Sequence, residues 1–163
     1  RRWKLVAQAT QISSTSVPAP VGRSYWNDAW DGYPEARKRL LQTVVDAKLQ
    51  NVVTLGGDVH CNVAAPLRLE SNNPQSPVVA SEFVTTSITS RGLGDKPSAL
   101  IRESNADLLH YRADERGYSL ITVTPDDVRC DFRTTRFPAG SEPGFKTQAS
   151  YVVKRGVAGP QPV

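Results

Sequence analysis

The strongest constraint on the fold is a short apolar, β-branched run that ends in two glycines. Val52-Val53-Thr54-Leu55 is typical of a buried strand, and Gly56-Gly57 ends it. Upstream, Pro34 suits the first turn of a helix, and residues 35–49 carry one apolar face. The apolar residues of that face are Leu41, Val45 and Leu49, with Leu40 and Val44 beside them. A helix, a buried strand and a glycine turn in this order predict an α/β fold.

Asp58 and His60 follow the two glycines directly, at the carboxyl end of the predicted strand, where ligand sites of α/β sheets lie. On an extended backbone, residues two apart point to the same face, so the carboxylate and the imidazole would reach one metal ion or two adjacent ions. Paired ions activate water and neutralise phosphoryl charge in phosphoesterases. The alternative is an Asp–His hydrogen bond at a strand end, and the spacing alone does not decide between the two.

The remaining histidine, His110, falls in a helix predicted over residues 98–112, and we expect it to be a surface or packing residue. Asp58 and His60 alone are too few ligands for a dinuclear centre. The chain also has 163 residues without a single methionine, which predicts a fragment or a processed chain. The metal site is therefore expected to be completed by residues from outside this chain.

Composition excludes several classes of protein. The net charge of +4 comes from 20 Lys and Arg against 16 Asp and Glu, scattered along the chain, so specific nucleic-acid binding is not expected. No apolar run approaches the roughly 18 residues of a membrane span. Cys61 and Cys130 could pair in an oxidising compartment, but the sequence does not place them together.

The rest of the chain predicts strands joined by loops and one piece of one domain, without an internal repeat. Residues 12–33 are predicted to form a long loop, and residues 91–97 a shorter one. The tail from residue 140 onward is expected to be loosely structured. The predicted further strands are 3–8, 77–84, 118–123, 128–137 and, in the tail, 151–153.

Asp58 and His60, taken with three flanking segments, resemble the PhoD-like alkaline phosphatase/phosphodiesterase family. The flanking segments are Trp30-Asp31-Gly32-Tyr33-Pro34 with Arg37, then residues 82–90, and Arg116-Gly117-Tyr118. Segments matched in order are much more specific than any one of them. The resemblance covers roughly residues 3–155 and corresponds to the C-terminal half of that family.

This resemblance implies a calcineurin-like metallophosphoesterase, with residues 1–163 forming the C-terminal half of a four-layer α/β/β/α sandwich with mixed sheets. It implies hydrolysis of phosphate mono- and diesters of small molecules at a dinuclear or multinuclear centre of Fe³⁺ with Ca²⁺. Asp58 and His60 would be metal ligands, and hence catalytic, while a missing N-terminal segment of the same protein would supply the others. Members are exported, which implies a periplasmic or extracellular location. The alternative is a catalytically inert fragment that binds no metal on its own.

Several other residues have two interpretations, and no substrate-binding residue is assigned. Trp30, Asp31 and Tyr33 could line the substrate entrance, or they could pin the long loop. Glu82 could orient His60 or form a buried salt bridge. Three hydroxyl residues could donate hydrogen bonds to phosphate: Ser87, Thr89 and Ser90.

Arg116 likewise has two interpretations. Its guanidinium could bind a phosphate group through two parallel hydrogen bonds. An arginine that precedes Gly117-Tyr118 at the start of a strand is more often a structural residue.

Overall fold

The computed structural model consists of two β-sheets packed face to face, with helices on the outer face of the larger sheet. It describes residues 2–141 and 144–163. The helices are α1 (Pro34–Asp46) and α2 (Asp95–Glu103), with a 3₁₀ turn at Trp30–Gly32. The strands are β1 (Lys4–Ala7), β2 (Val17–Pro18), β3 (Arg23–Ser24), β4 (Val52–Gly56), β5 (Asn62–Arg68), β6 (Val78–Val84), β7 (His110–Arg112), β8 (Arg116–Val123), β9 (Asp127–Thr135), β10 (Lys146–Lys154) and β11 (Gln161–Pro162).

The larger sheet has five strands in the order β1-β4-β6-β5-β7. The first three are parallel, and β5 and β7 run antiparallel to their neighbours, so the sheet is mixed. The second sheet, β11-β10-β9-β8, is antiparallel throughout, and β2 and β3 form a separate short hairpin. The α/β class and the mixed sheet are as predicted, and the layers of the described residues follow the order helix, sheet, sheet.

Side chains of the larger sheet alternate between two cores, as the period of a strand requires. Val53 and Phe83 face the second sheet, where they pack with Phe132 and Val128. Val52 points the other way, toward Leu41 and Val44 of α1 in the helix layer. Because the central strands are covered on both faces, the position and direction of the chain at their carboxyl ends are rigidly defined.

Helix α1 begins at Pro34 as predicted but ends at Asp46, and only part of the predicted apolar face is buried. The buried residues are Arg37, Leu41 and Val44, whereas Val45 and Leu49 are each 39% exposed. Steps of four residues rotate about 40° around a helix, so the predicted stripe leaves the buried face, while steps of four and three stay on it.

The elements that differ from the sequence-based predictions include the following three. Strand β5 was not predicted, although it lies between β6 and β7 and is buried over most of its length. Helix α2 ends at Glu103, so residues 110–112 form β7 and not the end of a helix. The tail holds a nine-residue strand, β10, that pairs with β9 along its length. In each case pairing with a distant strand supplies the hydrogen bonds that decide the conformation.

The described residues contain no helix with the length and apolar character that crossing a bilayer requires.

Candidate functional site

Asp58 and His60 lie in the turn that follows β4, and both line a cleft of about 470 Å³. The cleft is also lined by residues from the segments 11–17, 24–29 and 91–93 and by Ile101 and Tyr111. Asp58 is exposed and His60 half-buried. The structure thus brings the two predicted ligands to one cleft, at the carboxyl end of a central parallel strand.

The backbone between them is not extended, so the premise of the spacing argument is wrong. Asp58 has φ 70° and His60 has φ 55°, both in the left-handed region. A hydrogen bond from the Val59 amide to the Gly57 carbonyl, 2.8 Å long, closes the turn. Non-glycine residues in this region cost on the order of 1 kcal/mol or more each, and such strain persists where the surroundings impose it, often at functional sites.

The His60 imidazole is oriented by the main chain. Its Nδ1 lies 2.8 Å from the Arg91 carbonyl oxygen and donates a hydrogen bond to it, so in the neutral imidazole the lone pair is on Nε2. This bond goes to Arg91 and not to Asp58, so the structure does not show the Asp–His pair that was the alternative. A metal-binding histidine is typically fixed through its second nitrogen in this way.

The two side chains fit part of a metal centre. An imidazole nitrogen and a carboxylate oxygen are donors that iron accepts, and carboxylate oxygen also suits calcium. Among the described residues, no group of three or more His, Cys, Asp or Glu side chains could hold an ion. Asp58 and His60 therefore offer two donors whose chemistry suits a metal ion, and the described residues place no third such side chain beside them.

Arg116 has the structural role that was one of its two interpretations. Its Nη1 donates to the His60 carbonyl oxygen at 3.0 Å and to Thr86 Oγ1 at 2.6 Å, and Nη2 donates to the Ala113 carbonyl at 2.6 Å. The side chain stacks over the Phe137 ring, and burial lowers the pKa of the guanidinium. These donors are occupied by the protein, which leaves them unable to bind phosphate.

Glu82 matches neither of its interpretations. It is fully buried, and its two oxygens accept hydrogen bonds from the amides of Ile12 (2.7 Å) and Ser13 (2.8 Å). Arg37 donates to the Ile12 carbonyl at 2.9 Å, so carboxylate and guanidinium hold the same residue from two sides. Burial raises the pKa of the Glu82 carboxyl despite these bonds. The pair fixes the segment that carries one wall of the cleft.

The long loop before α1 is pinned by Trp30 and Asp31. Asp31 accepts hydrogen bonds from the Thr15 amide (2.9 Å) and from Ser14 Oγ (3.1 Å), and Trp30 Nε1 donates to Gln8 Oε1 at 3.1 Å. Neither residue lines the cleft, and Tyr33 is 65% exposed outside it. The loop-pinning interpretation is therefore the one that the structure supports.

Sequence reasoning missed the side chains that do line the cleft. Tyr25 and Trp26, just after the β2–β3 hairpin, form its aromatic wall, and each is 52% exposed. Arg91 lines the opposite side. In the sequence, Tyr25 and Trp26 lie in an aromatic-rich loop and Arg91 follows a run of hydroxyl residues. Neither pattern distinguishes these residues from their neighbours as cleft residues. The three hydroxyl residues proposed for phosphate do not line the cleft: Ser87, Thr89 and Ser90.

Neither cysteine is available to the site. Burial raises the pKa of both thiols to about 12, and both are free. Cys61 packs under the helix layer and Cys130 between the sheets, which separates them. His110 is a packing residue, as predicted: its ring stacks on Phe132 with centroids 5.3 Å apart, and burial lowers its pKa.

The structure has a mixed α/β fold with a carboxylate and an oriented imidazole after a central strand, and comparison with known proteins identifies its family as one of phosphatases. A family model described as PhoD-like phosphatase matches residues 1–132. Alkaline phosphatase D of Bacillus subtilis (strain 168) is 35% identical over 162 residues, which are 96% of this chain and 27% of that protein. A solved structure of PhoD superposes with a TM-score of 0.85 at 29% identity, over 99% of this chain and 31% of that one.

The chain therefore belongs to the PhoD-like phosphatase family, which confirms the resemblance seen in the sequence. It spans less than a third of the length of the relatives it matches.

Both thiols should resist modification in the folded chain. With thiol pKa values of about 12 and full burial, neither Cys61 nor Cys130 forms a reactive thiolate near pH 8. A disulfide-exchange reagent such as DTNB should release almost no chromophore from the native chain. After unfolding in guanidinium without reductant, it should titrate two thiols per chain. Rapid reaction of one thiol in the native chain would contradict the burial, and fewer than two after unfolding would indicate a disulfide.

Proposed function

We propose that the protein containing this chain hydrolyses phosphate mono- and diesters at a dinuclear or multinuclear metal centre, Fe³⁺ with Ca²⁺, to which Asp58 and His60 each contribute a ligand. The observation that carries this proposal is the orientation of the His60 imidazole, whose Nδ1 is held by the Arg91 carbonyl, in the same cleft as the Asp58 carboxylate. Membership of a phosphatase family supports phosphoester hydrolysis as the reaction.

The remaining ligands would come from a segment of the same protein outside this chain, N-terminal to it. The chain matches 27% of the length of its Bacillus relative, which leaves room for them. That segment would also add the fourth layer of an α/β/β/α sandwich. Bound metal would supply an activated water and neutralise charge on the phosphoryl oxygens. A periplasmic or extracellular location is part of the same proposal, and cell fractionation tests it.

Arg91 would bind the phosphate group. Its main-chain carbonyl holds His60, while its exposed side chain lines the cleft beside the two ligands. A guanidinium beside a cleft is suited to two parallel hydrogen bonds with phosphoryl oxygens. The residue would thus link the position of the substrate to the position of the imidazole.

Tyr25 and Trp26 would hold the organic group of the ester. A phosphate group bound near Asp58 and His60 must project its organic substituent into the rest of the cleft, and these rings form a wall of that space. Each ring is half-exposed and so presents a face that a flat substituent can stack on. This arrangement favours esters of aromatic or heterocyclic alcohols over esters of small alkyl alcohols.

Removing either ligand should abolish most of the activity. We expect Asp58→Asn and His60→Ala in the full-length gene product to lower kcat/KM for bis-p-nitrophenyl phosphate more than about 100-fold and to reduce bound iron and calcium, because each change deletes a metal-ligand bond. Asp126→Asn is the matched control, since Asp126 is an exposed carboxylate outside the cleft and its change should alter neither quantity. Full metal content and full rate in both ligand variants would refute the assignment.

The inert-fragment alternative makes a different prediction for the same preparation. Full-length protein that holds no iron or calcium by elemental analysis, and releases no p-nitrophenol from mono- or diester substrates, would establish that alternative.

Loss of the Arg91 side chain should weaken substrate binding selectively. Arg91→Ala keeps the carbonyl that orients His60, so metal content should stay normal while KM for p-nitrophenyl phosphate rises about 10-fold or more, the value of a charged hydrogen bond. Lys96→Ala removes a neighbouring exposed charge that does not line the cleft and should leave KM unchanged. Equal KM values for the wild type and Arg91→Ala would place phosphate binding elsewhere.

Removing an aromatic ring from this wall should change the preference between substrates more than the rate of the chemical step. Trp26→Ala is expected to lower kcat/KM for p-nitrophenyl esters about 3–10-fold, the size of one aromatic contact, with little effect on methyl phosphate. Val21→Ala, at the 92% exposed tip of the hairpin, is the control and should preserve the aryl-to-alkyl ratio. An unchanged ratio in Trp26→Ala would exclude stacking on this wall.

A further inference from the structure

We propose that Arg116 and Gly92 form a clamp on the main chain of His60, and that this clamp sets the direction of the imidazole and thereby the affinity of the metal centre. Both are positioning residues, since they act through His60. The inference rests on the proposed function, because it concerns a ligand of that same centre.

The clamp acts on a strained residue. His60 has φ 55°, a conformation that a side chain with a Cβ adopts at a cost unless its surroundings impose it. Two hydrogen bonds hold His60. Arg116 Nη1 donates to the His60 carbonyl oxygen at 3.0 Å, and His60 Nδ1 donates to the Arg91 carbonyl oxygen at 2.8 Å. The first fixes the peptide plane and the second fixes the ring, so together they determine where Nε2 points.

Gly92 makes the close approach of these groups possible. A Cβ on Gly92 would lie 2.7 Å from the His60 carbonyl oxygen, 2.7 Å from the Ala113 carbonyl oxygen and 2.8 Å from Arg116 Nη2. Real Cβ atoms essentially never come this close to other atoms, and two of these neighbours are backbone atoms that cannot rotate away. Any larger residue would have to displace the carbonyl or the guanidinium that binds it.

Arg116 is built as a rigid donor. It is 3% exposed, and its guanidinium also donates to Thr86 Oγ1 and to the carbonyls of Ala113 and Glu115. A buried guanidinium is costly to desolvate, and charge-assisted hydrogen bonds in a fixed fork offset that cost. Because residues of separate segments hold the Arg116 guanidinium, it cannot follow a shift of the His60 carbonyl without breaking several hydrogen bonds at once.

Release of the clamp would leave Asp58 and His60 in the chain but would free the imidazole to turn away. Residues that orient a metal ligand without touching the ion typically change metal affinity 10–100-fold when they are altered. The clamp is therefore expected to appear as a loss of metal affinity and of kcat, with a smaller change in KM, because substrate contacts stay in place.

Gly92→Ala and Gly94→Ala form a matched pair that tests the clamp. The two glycines lie in one loop, but a Cβ on Gly94 would meet nothing closer than Pro97 Cδ at 3.9 Å. The measurement is the EDTA concentration that removes half of the iron and calcium bound to the full-length gene product. We expect this concentration to be about 10–100-fold lower for Gly92→Ala than for the wild type. Gly94→Ala should stay within about twofold of the wild type on the same principle.

Two more variants separate positioning from loss of stability. Arg116→Lys adds no atoms but removes the planar guanidinium and its paired N–H donors. The variant protein should lose metal at an EDTA concentration about 10-fold lower than the wild type. Val44→Ala destabilises the helix layer, remote from the clamp, and should lower the thermal midpoint while metal retention stays normal.

The proposal is overturned if Gly92→Ala and Arg116→Lys both retain metal like the wild type, or if Val44→Ala loses metal as readily as they do at a comparable thermal midpoint. These outcomes are distinct from failure of the proposed function. If Asp58→Asn and His60→Ala lose metal while the clamp variants keep it, only the clamp is wrong. If the ligand variants keep their metal, the proposed function is wrong.

Discussion

In our proposal, the site depends above all on the hydrogen bond between a buried guanidinium and a main-chain carbonyl. Arg116, at the start of β8, reaches across to the carbonyl of His60 and holds a left-handed residue after β4. Arg116 belongs to the second sheet, whereas His60 lies in the turn between β4 and β5 of the larger sheet, so the packing of the sheets and the geometry of the turn are coupled. If the sheets shifted against each other, the donor would move away from the acceptor, and the imidazole would lose its fixed direction.

Another wall of the cleft is held by a buried carboxyl group and a buried guanidinium. Glu82 on β6 and Arg37 on α1 bind the amide and the carbonyl of Ile12. A carboxylate and a guanidinium buried in this way are costly unless all their hydrogen bonds are made. Here the hydrogen bonds to main-chain amides and carbonyls offset the cost, and they order a loop that has little regular structure of its own. Both walls of the cleft are thus held by buried side chains that bind main-chain atoms.

This design explains why a chain that spans less than a third of its relatives can present an ordered edge of a site. The direction of the imidazole is determined by contacts inside the chain, with Arg91 and Arg116, and does not wait for other ligands. In our proposal, a segment outside the chain brings the remaining ligands to a preformed pair. Preorganisation of this kind lowers the conformational entropy lost when the metal binds.

The sequence by itself determined the elements that local patterns encode. The β-branched run before Gly56, the start of α1 at Pro34 and the placement of Asp58 and His60 at a strand end follow from periodicity and turn chemistry, and the ordered segments identified the family. Only the tertiary structure decided that the turn is left-handed, that Glu82 binds Ile12 and not His60, and that residues 146–154 form a strand. These outcomes depend on partners far away in the chain, whose hydrogen bonds and packing outweigh the weak local preferences of the residues involved.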